Sequence, residues 1–210
     1  MHRTIQRHDR TPPYHHKDVQ DFILMDSHGQ PVRLQSLLER GPAVISFYRG
    51  GWCPYCNTQL REFQRVLPEI ESLGASLLAI SPERPYHAFA TEQQNKLTFP
   101  ILSDVRNVVS ERFGIVSKLS TDLRALYEGS QQGREQTDRS KGANHFPIPS
   151  AFVIDPMRAV RMACIEEDFS KHLAPTMAVK ALKRLKGAKD SSLQRSKRSI
   201  GDAIPGQVQS

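Results

Sequence analysis

An α/β sandwich built around a mixed sheet is the fold this sequence predicts, on three observations. Two short apolar runs, Ala43 to Tyr48 and Ala75 to Ile80, alternate with helical patterns. Later, Ala151 to Ile154 and Ala159 to Ile165 flank an Asp155-Pro156 turn and read as a hairpin. A final amphipathic stretch, Pro175 to Lys186, turns Ala178, Leu182 and Leu185 to one side and Lys180, Lys183, Arg184 and Lys186 to the other. Strands that alternate with helices and end in a hairpin plus helix pack as layers about one sheet.

The elements follow in order. Phe22-Ile23-Leu24 reads as a short strand, closed by the turn residues Asp26-Ser27-His28-Gly29. Leu34, Leu37 and Leu38 recur at helical spacing until Gly41-Pro42 stops them. Ala43 to Tyr48 lacks polar alternation and suits a central strand covered on both faces. Leu60, Phe63, Leu67, Ile70 and Leu73 then mark one face of a long helix ending at Gly74, with Pro68 inside it as an expected kink. Ala75 to Ile80 is a second buried strand, Tyr86 to Asn95 a helix and Phe99 to Leu102 a strand. Asp104 is the expected cap of a helix whose buried stripe is Val105, Val108, Val109 and Phe113. From Ile115 to Phe146 the pattern is weak, and the polar stretch Gly129 to Asn144 predicts an exposed, mobile loop. The folded domain is expected over residues 19–187, with disordered tails at 1–18 and 188–210.

Bulk properties exclude several function classes. No apolar run reaches membrane-spanning length, and Met1 to Lys17 has no apolar signal core. A cytoplasmic protein is expected, in which thiols stay reduced unless they are catalytic. The net charge of +7 is concentrated at the ends: residues 1–20 and 187–210 each hold four Lys/Arg against two Asp. The 166 residues between them carry only +3, without a basic groove or interleaved aromatics, so nucleic acid is not an expected partner. His2, His8, His15 and His16 lie in the tail without cysteine partners, and neither a metal nor a cofactor is expected.

Chemistry concentrates in Phe47-Tyr48-Arg49-Gly50-Gly51-Trp52-Cys53-Pro54-Tyr55-Cys56. This C-x-x-C follows a buried strand and opens a helix, with Pro54 at an early position where its missing N–H costs nothing. Unpaired N–H groups and the helix dipole at a helix start favour the thiolate, the nucleophilic form of cysteine. Cys53 occupies that position and Cys56 follows one turn later, close enough to form a disulfide. The same spacing occurs in zinc knuckles, but neither a second C-x-x-C nor an H-x-x-x-H supplies the remaining ligands. Cys164 lies in an apolar alternating strand and reads as a buried, inert thiol. Trp52, beside the first cysteine, is expected to flank the thiol at the surface.

Five stretches carry a resemblance to a known family. They are Phe47 to Cys56, Leu67-Pro68-Glu69-Ile70 with Leu73-Gly74-Ala75, Ala79-Ile80-Ser81-Pro82, Leu97 to Asp104 and Pro149 to Asp155. Together the chain resembles the peroxiredoxin-like branch of the alkyl hydroperoxide reductase/thiol-specific antioxidant family, over residues 19 to 186 and most weakly at 117–146. The resemblance implies a thioredoxin-like fold, a peroxidatic Cys53 and a Cys56 that resolves it. It implies peroxide as substrate, a thioredoxin-like or glutathione-based reductant, and admits a homodimer.

Two positions depart from the family pattern. Gly50 stands where typical peroxiredoxins carry a Thr or Ser that hydrogen-bonds the peroxide. Pro149 stands where they carry an Arg, and resembles instead the cis-proline facing the C-x-x-C of thioredoxins. Arg49 is the candidate substitute for the missing Arg. A thiol–disulfide oxidoreductase of thioredoxin or glutaredoxin type, with little peroxidase activity, therefore stands beside the peroxidase reading. A redox-sensing binding module is a third reading.

Overall fold

The structure is a computed structural model and describes residues 18–131, 145–166 and 175–201. The charged N-terminal segment with its four histidines and most of the polar stretch before Asn144 lie outside the described residues. The elements are strands β1 (Ile23–Asp26) and β2 (Pro31–Arg33), helix α1 (Leu34–Leu38), strand β3 (Ala43–Phe47) and helix α2 (Pro54–Ser72). They continue with β4 (Ser76–Ser81), α3 (Pro85–Asn95), β5 (Ile101–Ser103), α4 (Val108–Arg112), β6 (Val116–Lys118) and α5 (Thr121–Gly129). Strands β7 (His145–Pro147), β8 (Ser150–Ile154) and β9 (Val160–Ile165) precede helix α6 (Pro175–Gly201).

Seven strands form one mixed sheet in the order β2-β1-β5-β4-β3-β8-β9, and β6 pairs separately with β7. Strand β3 runs parallel to β4 and antiparallel to β8, with Phe47 opposite Ile80 on one side and Ser150 on the other. All five of its residues are buried, as a strand covered on both faces requires.

The two faces sort the core by the two-residue period of a strand. Val44, Leu77, Ala79, Ala151 and Val153 pack against Leu60, Phe63 and Ile70 of α2 and against Ala178, Val179 and Leu182 of α6. Ala43, Ile45, Phe47, Leu78, Ile80, Phe152 and Ile154 face the opposite layer, with Leu34, Leu37, Leu38, Val109 and Phe113. Phe47, Phe113 and Phe152 pack ring against ring there, with centroids 4.8 to 5.8 Å apart. Helices α2 and α6 share the first face and are tied across it by Lys183 Nζ to Glu69 Oε1 at 2.8 Å. Helix α2 is continuous through Pro68. No helix among the described residues is long and apolar enough to cross a membrane.

Two local expectations are corrected, and one region without a clear pattern gains structure. Helix α4 begins at Val108 behind Asn107, not at Asp104, because Asp104 to Asn107 forms a turn closed by Asn107 N–H to Asp104 C=O at 2.8 Å. That offset turns Val105 and Val108 outward, leaving Val109 and Phe113 as the buried pair. Asp104 still serves the helix: its carboxylate accepts from Val109 N–H at 3.2 Å, Ser110 N–H at 2.8 Å and the Ser110 hydroxyl at 2.9 Å. Helix α6 does not stop at Lys186 but carries on through Gly187 to Gly201, into the stretch expected to be a tail. One glycine costs a helix only about 1 kcal/mol relative to alanine, so Gly187 alone does not end it. Finally, β6, α5 and β7 give regular structure to parts of the weakly patterned region.

The Asp104 contacts generate a stability prediction. Asp104→Ala leaves three donors at a buried helix start without their acceptor and should destabilise the protein by about 1–3 kcal/mol. Urea denaturation monitored by circular dichroism measures it, and an unchanged midpoint would contradict this role of the carboxylate.

Candidate active site

Strand β3 ends at Phe47, and the next six residues form the turn that delivers Cys53 to the start of α2. Cys53 is the N-cap residue, in extended conformation (φ −92°, ψ 113°), and its carbonyl accepts the first helical bond from Asn57 N–H at 3.1 Å. Its own N–H donates to Gly50 C=O at 3.1 Å and closes the turn. Pro54 is the first helical residue. The sequence pattern of strand, turn and helix-opening C-x-x-C thus has the geometry expected of it.

Both thiols are free and buried. The Cys56 thiol hydrogen-bonds Cys53, and this contact is the first cause that lowers the Cys53 pKa. Burial opposes it, while Arg49 adds a favourable charge, and the balance brings Cys53 from 9.0 down to about 6. Arg49 is itself buried, with Nη1 4.0 Å from Cys53 Sγ. Cys56 is pushed the other way, well above the ordinary thiol range, by the same hydrogen bond and by burial. One thiol is therefore set to be the anion and its neighbour to hold the proton. Pairs pushed apart in this way divide nucleophile from proton donor. The Cys164 thiol is raised by burial and by Glu166, and its Sγ lies 4.0 Å from Met177 Sδ.

Trp52 is half-buried rather than displayed at the surface. Its ring packs on Tyr127 of α5 at 5.2 Å and Phe146 of β7 at 5.5 Å, and those two rings meet at 4.9 Å. Two of the three aromatics come from the weakly patterned region, which is why the sequence alone did not bring them to the cysteines.

Pro149 requires a correction. Ser150 pairs with Phe47, so Pro149 stands beside the C-terminal end of β3. No peptide bond among the described residues is cis, however, so the Ile148–Pro149 bond is trans. Backbone hydrogen bonds flank it: Ile148 N–H donates to Ile115 C=O at 2.7 Å, and Pro149 C=O accepts from Glu166 N–H at 2.9 Å. The likeness to a thioredoxin cis-proline stops at the residue type.

A buried polar group that sequence reasoning missed lies alongside. Glu83 follows the C-terminal end of β4, parallel to and adjacent to the end of β3. Its carboxylate accepts from the Tyr48 hydroxyl at 2.7 Å, Gly51 N–H at 2.9 Å, and the Ser81 and Thr91 hydroxyls, each at 3.2 Å. Asn57 Nδ2 donates to Gly51 C=O at 2.7 Å, and Asn95 Nδ2 donates to Asn57 Oδ1 at 2.8 Å. The available signal was an acidic residue two positions after a buried parallel strand. Sites in α/β sheets form at those carboxyl ends.

A pH profile tests the thiol assignment. A pKa lowered to about 6 makes Cys53 mostly thiolate at pH 7, so its alkylation should rise through pH 6 and level off above it. Cys56 and Cys164 should react appreciably only in alkali. Peptide-resolved mass spectrometry after iodoacetamide pulses measures this, and Arg49→Met should move the Cys53 midpoint upward. Earlier labelling of Cys56 or Cys164 would sink the assignment.

Known proteins resemble this chain in sequence and in fold. The AhpC/TSA family model matches residues 16–163. A Mycobacterium tuberculosis protein named as a peroxiredoxin is 35% identical over 99 residues, covering 46% of this chain and 63% of its own length. The thiol-disulfide oxidoreductase ResA of Geobacillus thermodenitrificans is 30% identical over 98 residues, covering 45% of this chain and 54% of its own. The chain thus spans less than two thirds of these relatives. The crystal structure of peroxidoxin BcpB from Mycobacterium tuberculosis superposes with a TM-score of 0.65 at 24% identity, over 81% of this chain and 97% of that one. The mixed sheet with its flanking helices is a thioredoxin-like fold, and the chain belongs to the AhpC/TSA family.

Proposed function

We propose that the protein is a thiol peroxidase in which Cys53 reduces hydrogen peroxide or an organic hydroperoxide and Cys56 resolves the product. The observation that carries this reading is the divided thiol pair, an anionic Cys53 beside a protonated Cys56 at the start of α2. The Cys53 thiolate attacks the terminal peroxide oxygen. An S–O bond forms as the O–O bond breaks, and the departing oxygen leaves as water or an alcohol once protonated. Arg49, within 4.0 Å of the sulfur, supplies positive charge where the leaving oxygen becomes negative. Cys56 then attacks the sulfenic sulfur, giving the Cys53–Cys56 disulfide and releasing water. A thioredoxin-like or glutathione-based dithiol or thiol returns the pair to its reduced state, as suits a reducing compartment such as the cytoplasm.

Two observations favour the second reading, reduction of disulfides. Gly50 has no hydroxyl to offer a peroxide, and ResA is among the relatives. Stopped-flow oxidation of the reduced protein by hydrogen peroxide and by a hydroperoxide, set against its rate of reducing a protein disulfide, separates the readings. Peroxide rates far above those of a free thiol are expected. A free-thiol peroxide rate with rapid disulfide reduction would assign the second activity instead.

Cysteine substitutions define the roles. Cys53→Ser should lose peroxide consumption altogether. Cys56→Ser should consume one equivalent and then carry Cys53 to sulfinic and sulfonic acid in excess peroxide. Mass spectrometry of the oxidised variant measures this, and a Cys53–Cys164 disulfide there would reassign the resolving thiol.

A further inference from the structure

We propose that Glu83 is the positioning residue of this site: its buried carboxylate fixes the turn from Tyr48 to Trp52 and so holds Arg49 against Cys53 Sγ. The proposal rests on Cys53 being the reactive thiol.

The geometry is a bracket. Tyr48, the residue before Arg49, donates its hydroxyl to Glu83 Oε2 at 2.7 Å. Gly51, two residues after Arg49, donates its N–H to Glu83 Oε1 at 2.9 Å. The two oxygens of one carboxylate thereby clamp both sides of Arg49. Between them lies Gly50 at φ +147°, a conformation that side-chain-bearing residues rarely adopt and that needs support. The clamp is itself anchored, because Thr91 of α3 donates to the carboxylate and Ser81 at the end of β4 does the same. Thr91 also closes on the turn: a Cβ at position 51 would stand 2.1 Å from its Oγ1. Asn57 grips the far side of the turn through Gly51 C=O at 2.7 Å. Rigid support of this kind decides whether a catalytic charge sits within reach of the reacting atom.

Charge logic makes the proposal sharp. Among the described residues, Arg49, Tyr48, Glu83 and the two thiols are ionisable groups on or against this turn. A carboxylate acting on the site only as a nearby negative charge would disfavour the thiolate, so its neutralisation would help Cys53 ionise. A carboxylate acting through the position of Arg49 does the opposite. Its neutralisation loosens the turn, draws the guanidinium from sulfur and disfavours the thiolate.

The test is the alkylation midpoint of Cys53 in the full-length reduced protein, read by peptide-resolved mass spectrometry with iodoacetamide. Glu83→Gln keeps the shape but gives up one acceptor oxygen. It should raise the midpoint by about one pH unit, so that labelling at pH 6 slows several-fold. Thr91→Val, a milder change of similar volume, should move it the same way by less. In an Arg49→Met background Glu83→Gln should add nothing, since the two act as one unit. An unchanged midpoint in Glu83→Gln, a lower one, or additivity with Arg49→Met would overturn the proposal. If Glu83→Gln does not fold, an unchanged midpoint in Thr91→Val does so. These failures are distinct from failure of the thiol assignment, which would appear as the absence of an acidic midpoint in the unaltered protein.

Discussion

Everything at this site depends on the burial of β3 between two hydrogen-bonded neighbours. A strand covered on both faces and paired along both edges, to β4 and to β8, has one place left to present chemistry, its end. The parallel partner β4 ends alongside it, so two loops leave the sheet at the same point. One carries Cys53 into α2, and the other carries Glu83 toward α3. The antiparallel partner β8 begins there and brings Pro149. A thiol, a guanidinium, a carboxylate and a proline converge because three strand ends converge.

The electrostatics follow from that placement. A buried thiolate is costly unless it is hydrogen-bonded and faces an opposite charge. Cys53 has both, from Cys56 and from Arg49, and the gain exceeds the desolvation that opposes it. Cys56 shares the burial but faces the anion, so the same environment keeps it protonated. Sequence separation of three residues thus produces thiols of opposite character, and the difference comes first from the hydrogen bond between them.

Legibility in the sequence followed pattern strength. Strands β3, β4 and β8 and helix α2 were readable because unbroken apolar runs and a long helical stripe leave few alternatives. The cysteines and Arg49 were readable because the motif fixes their place relative to the strand end. Less was legible where a turn of chain shifts a phase: the Asp104 to Asn107 turn moves α4 by a few residues and exchanges Val105 and Val108 for solvent. The Trp52 cluster was hidden because Tyr127 and Phe146 are single aromatics in short elements, with no periodicity to reveal them. Glu83 was hidden for a different reason, since a lone acidic residue after a strand looks like a solvated turn until its four donors are seen. Pro149 is flanked by hydrogen bonds to Ile115, just before β6, and Glu166, just after β9, contacts that no local pattern encodes.

The close approach of Thr91 to the bare backbone of Gly51 has a consequence for how such sequences can vary. Positions 51 and 91 lie forty residues apart, yet they share one volume, so neither is free to drift alone. A side chain at the first demands a smaller residue at the second. Loss of the threonine hydroxyl in turn removes a donor to the carboxylate beside it. Natural variants of this chain should therefore change the two positions together or not at all, and that coupling would mark lineages in which the turn before the first cysteine is held in this way.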